Sequence, residues 1–141
     1  MKIYSAIKGG IEILKSNYIS SAHLDSEILM ATAINKDRRY IILNSDKKLS
    51  PKDLINFNKL IKHRSLRKPV AHLTNKKFFW KSEFFVTKDT LIPRPDTELL
   101  IECLLNFSRT KNKLSILDIG IGSGCILLSV LKEKKNFYGT G

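Results

Sequence analysis

The sequence predicts an α-helical amino-terminal bundle, then a β-hairpin linker, then the opening strand–helix–strand of an α/β domain. Three observations predict it. Apolar residues recur at helical spacing from Ile3 to Ile61. Phe78, Trp80, Phe84 and Val86 alternate with polar residues, as in a half-buried hairpin. Near the end, Leu117-Asp118-Ile119-Gly120-Ile121-Gly122-Ser123-Gly124 runs from an apolar strand into a turn with three alternating glycines.

The elements follow in order. Ile3, Ile7, Ile11, Leu14 and Tyr18 form the apolar stripe of a first helix that runs through Gly9-Gly10. Ser20-Ser21 caps a second helix with Leu24, Ile28, Ala31 and Ile34 inward, and Asp37 opens a short third through Leu43. Ser50-Pro51-Lys52-Asp53 joins a capping hydroxyl, a first-turn proline and an acid near the positive helix end. The helix it starts presents Leu54, Phe57, Leu60 and Ile61 and must stop before Pro69. Pro95, with Asp96, Thr97 and Glu98, starts a helix whose apolar face is Leu99, Leu100, Cys103, Leu104 and Phe107, which makes Cys103 a core thiol. The hairpin aromatics are expected to pack against that helix rather than to form a binding platform. Lys113–Ile119 reads as a parallel strand buried on both faces, Cys125–Leu131 as a helix, and residues 136–141 as a second strand.

Composition sets the limits. With 43% apolar residues in 141, the chain can bury a core. The apolar run Cys125–Leu131 is far short of the ~20 residues of a membrane span. The amino terminus, interrupted by Lys8, Glu12 and Lys15, lacks the apolar centre of a secretion signal. Cys103 and Cys125 have no metal-ligand spacing and read as reduced thiols, which fits a cytoplasmic protein. The net charge is +12, and residues 1–72 hold 14 Lys/Arg against 6 Asp/Glu. Such a surplus attracts acidic partners or nucleic acid. Here the cations are spread over several helices, so charge alone gives no warrant for direct nucleic-acid binding and leaves it open.

The glycine spacing bears on function. A dinucleotide fingerprint needs glycine at position 125, where this chain has Cys125. The pattern Asp118-x-Gly120-x-Gly122-x-Gly124 instead resembles motif I of class I S-adenosylmethionine-dependent methyltransferases. Upstream, Ile92-Pro93-Arg94-Pro95-Asp96-Thr97-Glu98 closely resembles the "IPRPDTE" signature of the glutamine methyltransferases that modify bacterial class-1 peptide chain release factors, the HemK family. Lys68-Pro69-Val70-Ala71-His72-Leu73-Thr74 and Leu24-Asp25-Ser26-Glu27-Ile28-Leu29 resemble two further segments of that family, in its order. Asn75 stands where the family has glycine and Phe78 where it has glutamate, although Asn also tolerates a left-handed backbone.

The resemblance implies a helical substrate-docking domain at 1–72, a hairpin linker at 73–92, and at 93–141 the first part of a class I methyltransferase (Rossmann-like) domain. It implies S-adenosyl-L-methionine as cofactor, held by Asp118, Gly120, Ile121, Gly122, Ser123 and Gly124, with Arg94, Thr97 and Glu98 either shaping the site wall or capping and packing. Class-1 release factors are the implied partner. Neither a metal site nor a catalytic residue is expected. The family's "NPPY" catalytic motif occurs nowhere in the 141 residues, and a doubly wound domain needs on the order of 100–150 residues, whereas 29 remain from Lys113 onward. The expectation is a truncated member, inactive alone, whose strand 114–119 exposes apolar surface and an unpaired edge. The alternative is a module that binds release factor without catalysis, or the product of a decayed gene.

Overall fold

The computed structural model describes residues 1–141. It divides into two compact units, Met1–Thr74 and Asn75–Gly141.

The first unit is all-helical: α1 (Ile3–Ser16), α2 (Ala22–Ala33), α3 (Arg38–Leu43), α4 (Pro51–Ser65) and α5 (Val70–Thr74). Local chemistry sets the helix starts. The Asp37 carboxylate accepts from the Tyr40 N–H at 2.8 Å. Ser50 Oγ accepts from the Asp53 N–H and donates to Asp53 Oδ2, so cap and first-turn acid hold each other. The amino terminus is pinned by an antiparallel bridge between Lys2 and Lys48. Ile3, Leu14, Leu29, Met30, Ile41, Phe57 and Ile61 form the core.

Two inward faces differ from the sequence reading. Tyr18 lies beyond α1, at φ +58° and 88% exposed, because the helix has ended at Ser16. On α2 the buried face is Ala22, Asp25, Ser26, Leu29, Met30 and Ala31, whereas Leu24 is exposed. Ser21 makes no side-chain cap bond; its hydroxyl donates to Asp25. α2 packs against α1, α3, α4 and α5, and such a central helix can bury polar groups only if each finds a partner. Ser26 Oγ finds the Ile7 carbonyl at 3.0 Å. α5, which the sequence reading did not foresee, follows Pro69 directly, and the Pro69 carbonyl accepts from the His72 and Leu73 N–H groups.

Of the paired glycines in α1, only Gly10 is there for space. A Cβ at Gly10 would lie 2.7 Å from Ser26 Oγ and 2.8 Å from Phe57 Cζ, while one at Gly9 would meet nothing within 4 Å. Gly9→Ala is therefore expected to stabilise the chain by roughly 0.5–1 kcal/mol through helix propensity. Gly10→Ala is expected to destabilise it by about 1–2 kcal/mol, since overpacking outweighs the same gain. Urea titrations of the two variants give the comparison, and equal shifts would mean that α1 and α4 are not in close contact at Gly10.

The second unit opens with the antiparallel hairpin β1 (Lys76–Phe79) and β2 (Ser82–Phe85), in the register Lys76↔Phe85 to Phe79↔Ser82. Asn75 enters it at φ +57° and its amide donates to the Val86 carbonyl, the left-handed backbone that asparagine tolerates. The inward aromatics are Phe79 and Phe84, whose rings meet edge-to-face at 6.2 Å. Phe78 points outward and is 66% exposed, contrary to the alternation read from sequence. Trp80 sits in the two-residue turn at φ +54°, which ends the strand one residue early and shifts the parity.

A short 3-10 turn at Pro95–Thr97 leads into α6 (Glu98–Phe107). Its inward residues are Ile101, Leu104, Leu105 and Ser108. Leu99, Leu100 and Phe107 are exposed, and so is Cys103, which is therefore not a core thiol. This helix is apolar around most of its circumference, so periodicity did not determine its face. Docking did: Ile101 packs with Phe79 and Phe84, and Glu98 Oε1 accepts from the Trp80 N–H at 2.8 Å.

β3 (Ser115–Leu117), α7 (Cys125–Glu133) and β4 (Tyr138–Thr140) complete the unit; β3 and β4 pair in parallel, with Ile116 beside Gly139. β3 is not buried on both faces. Leu114 and Ile116 pack against the core, while Leu117 is 67% and Ile119 88% exposed. A two-stranded parallel sheet covered on one side leaves its other face and its outer edges open.

Candidate functional site

The glycine turn lies at the carboxyl end of β3, where an α/β unit places its ligand site. The Asp118 N–H donates to the Thr140 carbonyl at 2.8 Å, so pairing with β4 continues one residue past the strand. Beyond it the chain adopts a left-handed conformation at every second residue: φ is +83° at Gly120, +55° at Gly122 and +75° at Gly124. L-residues lose about 1–2 kcal/mol in that region, and this accounts for the alternation. Close approach within the chain adds to it only at Gly124, where a Cβ would lie 3.0 Å from Leu128 Cδ1. A Cβ at Gly120 would meet nothing within 4 Å, and at Gly122 only the Gly120 carbonyl at 3.8 Å.

The turn closes on itself. The Gly124 N–H donates to the Ile121 carbonyl, and the Gly124 carbonyl accepts from the Leu128 N–H, which starts α7. No side chain caps α7, so the first-turn N–H groups and the positive end of the helix dipole face the turn. Two polar atoms there are buried without a partner: Asp118 Oδ2 and Ser123 Oγ. Buried polar groups are usually paired in folded proteins. His63 Nδ1 and Ser129 Oγ are also left over elsewhere, but only at this turn do an acceptor and a hydroxyl stand together beside an uncapped helix start, which makes it the candidate site. Ile121, which the sequence reading placed among the cofactor-binding residues, contributes its carbonyl to the turn.

The upstream hexad behaves differently. Glu98 fastens the hairpin turn to α6, and Pro93 is buried. Arg94 is exposed, and neither it nor Thr97 makes a side-chain cap bond.

A second polar cluster had no sequence signal, because its members lie some fifty residues apart. Glu133, at the end of α7, accepts from Lys81 Nζ at 2.7 Å and from the Trp80 indole N–H at 2.9 Å. The Lys81 ammonium and then the indole hold its carboxyl below the ordinary glutamate range. A carboxyl lowered in the folded state stabilises above its unfolded value, and that contribution is lost as pH falls through the folded one. Acidification below about pH 4.5 is therefore expected to release Trp80 and shift its fluorescence. Trp80 is the single tryptophan of the chain. Glu133→Gln should remove most of that acid-dependent change, and an unaltered profile would mean that Trp80 reports some other carboxyl.

No group of three His, Cys, Asp or Glu side chains could hold a metal ion, and no helix is long and apolar enough to cross a membrane.

Comparison with known proteins matches residues 5–74 to the family model described as the PrmC N-terminal domain. Among curated relatives, the release factor glutamine methyltransferase of Shewanella oneidensis is 40% identical over 114 residues, 81% of this chain and 40% of the relative. Those of Buchnera aphidicola subsp. Baizongia pistaciae and Leptospira interrogans are each 38% identical, over 95% and 96% of this chain and 48% of each relative. The chain thus spans about half the length of the curated relatives it matches. A matched helical unit, followed by a hairpin and a parallel strand–helix–strand also within the aligned region, places this chain in the release factor glutamine methyltransferase family.

Proposed function

We propose that this chain supplies the cofactor-binding part of a methyltransferase that transfers a methyl group from S-adenosyl-L-methionine to a glutamine side-chain nitrogen of class-1 peptide chain release factors in the bacterial cytoplasm. In this reading the helical part docks the release factor. The observation that supports it is the turn itself: three left-handed glycines beside two orphaned polar atoms at an uncapped helix start.

The residues fit the cofactor's chemistry. Asp118 Oδ2 is an acceptor suited to an ammonium or a hydroxyl, and Ser123 Oγ can serve either sense of hydrogen bond. The α7 amino terminus favours a carboxylate. Residues 120–124 would wrap the methionyl and ribose portion, as the family resemblance implies. When bound, S-adenosylmethionine supplies an electrophilic methyl group on a sulfonium. The accepting amide nitrogen is a poor nucleophile because its lone pair is delocalised, so acceptors must orient it in line with that methyl. The Asn-Pro-Pro-Tyr segment to which the resemblance assigns this task is not in these 141 residues.

The chain alone is therefore expected to bind the cofactor or its demethylated product without turnover. Calorimetric titration with S-adenosylhomocysteine, beside a radiolabel transfer assay on purified release factor, tests both halves. Absence of binding would remove the cofactor reading. Robust transfer would show that the catalytic residues lie within the chain.

A further inference from the structure

A cation-lined hollow lies on the second unit, away from the glycine turn's orphaned atoms in sequence and built by different segments. The loop after α6 contributes Arg109, Lys111 and Asn112, and the end of α7 with its following turn contributes Lys134, Lys135 and Asn136. These segments, more than twenty residues apart, border an open hollow of about 400 Å³. The cations there are not neutralised in place. Arg109, Lys111 and Lys135 form no ion pair with any carboxylate of the chain. The one acid at the rim, Glu133, is taken up by Lys81 and the Trp80 indole. Lys134 reaches the Ser108 carbonyl at 3.4 Å and lies over the Phe137 ring.

Cations near helix carboxyl ends commonly do no more than offset the dipole. Here Lys132 lies in the last turn of α7 and the Lys134 ammonium meets the Ser108 carbonyl at the end of α6, which leaves Arg109, Lys111 and Lys135 without such a contact. Side-chain amides from Asn112 and Asn136 add neutral donors between them. The apolar member of the lining, Phe137, is 6% exposed, so the hollow offers no aromatic face for a base and no apolar centre of the kind that anchors a protein partner. What remains is a set of donors for phosphate oxygens.

We propose that this hollow binds the phosphodiester backbone of a nucleic acid without reading its sequence. Phosphate contacts position without specifying, and their affinity falls with salt in proportion to the charges neutralised. The proposal is independent of the glycine turn and of methyl transfer.

The test is fluorescence anisotropy of a labelled single-stranded RNA with the full chain, repeated across salt concentrations. The triple variant Arg109→Ala/Lys111→Ala/Lys135→Ala is compared with Lys8→Ala/Lys15→Ala/Lys59→Ala, which removes the same charge from the helical unit. Circular dichroism confirms that both are folded. Loss of the three hollow cations is expected to reduce the slope of log affinity against log salt by about 2 and to weaken low-salt binding at least about tenfold, with the control near the parent. An equal loss in the control would make the effect one of net charge and overturn the proposal. Absence of RNA binding at low salt would overturn it too, as would poly-glutamate competing as well as RNA at equal charge.

Discussion

Replacing Asp25 or Arg64 by alanine is expected to cost the helical unit about 3 kcal/mol, the range for breaking a buried ion pair by removing one partner. The pair joins the first turn of α2 to the last turn of α4. Arg64 Nε donates to Asp25 Oδ2 at 2.7 Å, and the side chains are 18% and 7% exposed. Ser21 Oγ donates to the same oxygen at 2.7 Å, and Arg64 Nη1 donates to the Lys68 carbonyl at 3.2 Å, just before α5. Each charge also sits at the helix end that favours it, the acid at an amino terminus and the guanidinium at a carboxyl terminus. Removing Arg64 leaves a carboxylate buried with one hydroxyl donor, so Arg64→Ala should be the worse of the two. The double variant should lose less than the sum of the singles, because neither charge is then stranded. Urea unfolding followed at 222 nm measures all three. Losses below about 1 kcal/mol for both singles would place the pair among ordinary surface ion pairs.

The glycine turn should give effects of opposite sign on stability and on binding. Ser123→Ala removes a buried hydroxyl that has no partner in the chain. An unsatisfied buried group destabilises a fold, so this variant should be as stable as the parent or more so. If the hydroxyl serves the cofactor, the same change should weaken S-adenosylhomocysteine binding by about tenfold. Asp118→Asn keeps a polar atom at the orphaned position, so it should leave stability near the parent while weakening binding through loss of the charge. Gly122→Val, by contrast, forces a β-branched residue to φ +55°, where it is strained, and should abolish binding while lowering stability. Calorimetry and thermal unfolding on one set of proteins separate these cases. Reduced stability in Ser123→Ala with unchanged affinity would make the turn a purely structural strand–helix connection.

Much of the architecture was legible in the sequence because it rests on local chemistry. Asp37 and the Ser50–Asp53 pair act on N–H groups within four residues, so the starts of α3 and α4 could be read from residue types alone. The left-handed turn at 120–124 was equally legible, since only glycine adopts that conformation freely. The three alternating glycines and Asp118 therefore located the candidate site without any knowledge of packing.

Other features needed the tertiary structure, for one shared reason. Which side of an element is buried depends on what lies against it. α6 is apolar on most sides, so its docking on Phe79 and Phe84 through Ile101 decided that Leu99, Leu100, Cys103 and Phe107 face outward. Trp80 in the hairpin turn reversed the parity of β1 and turned Phe78 out, while Phe84 and Val86 are buried as alternation implied. Asp25 was hidden on α2 because a charge is buried only when a distant partner meets it, and Arg64 is 39 residues away. Sequence by itself determined the order of elements apart from α5, the capped starts of α3 and α4, and the glycine turn, all set by interactions within a few residues. The tertiary structure decided the inward faces, the Asp25–Arg64 and Glu133–Lys81 pairs, and the gathering of Arg109, Lys111 and Lys135, because burial and long-range charge pairing exist only once the chain has folded.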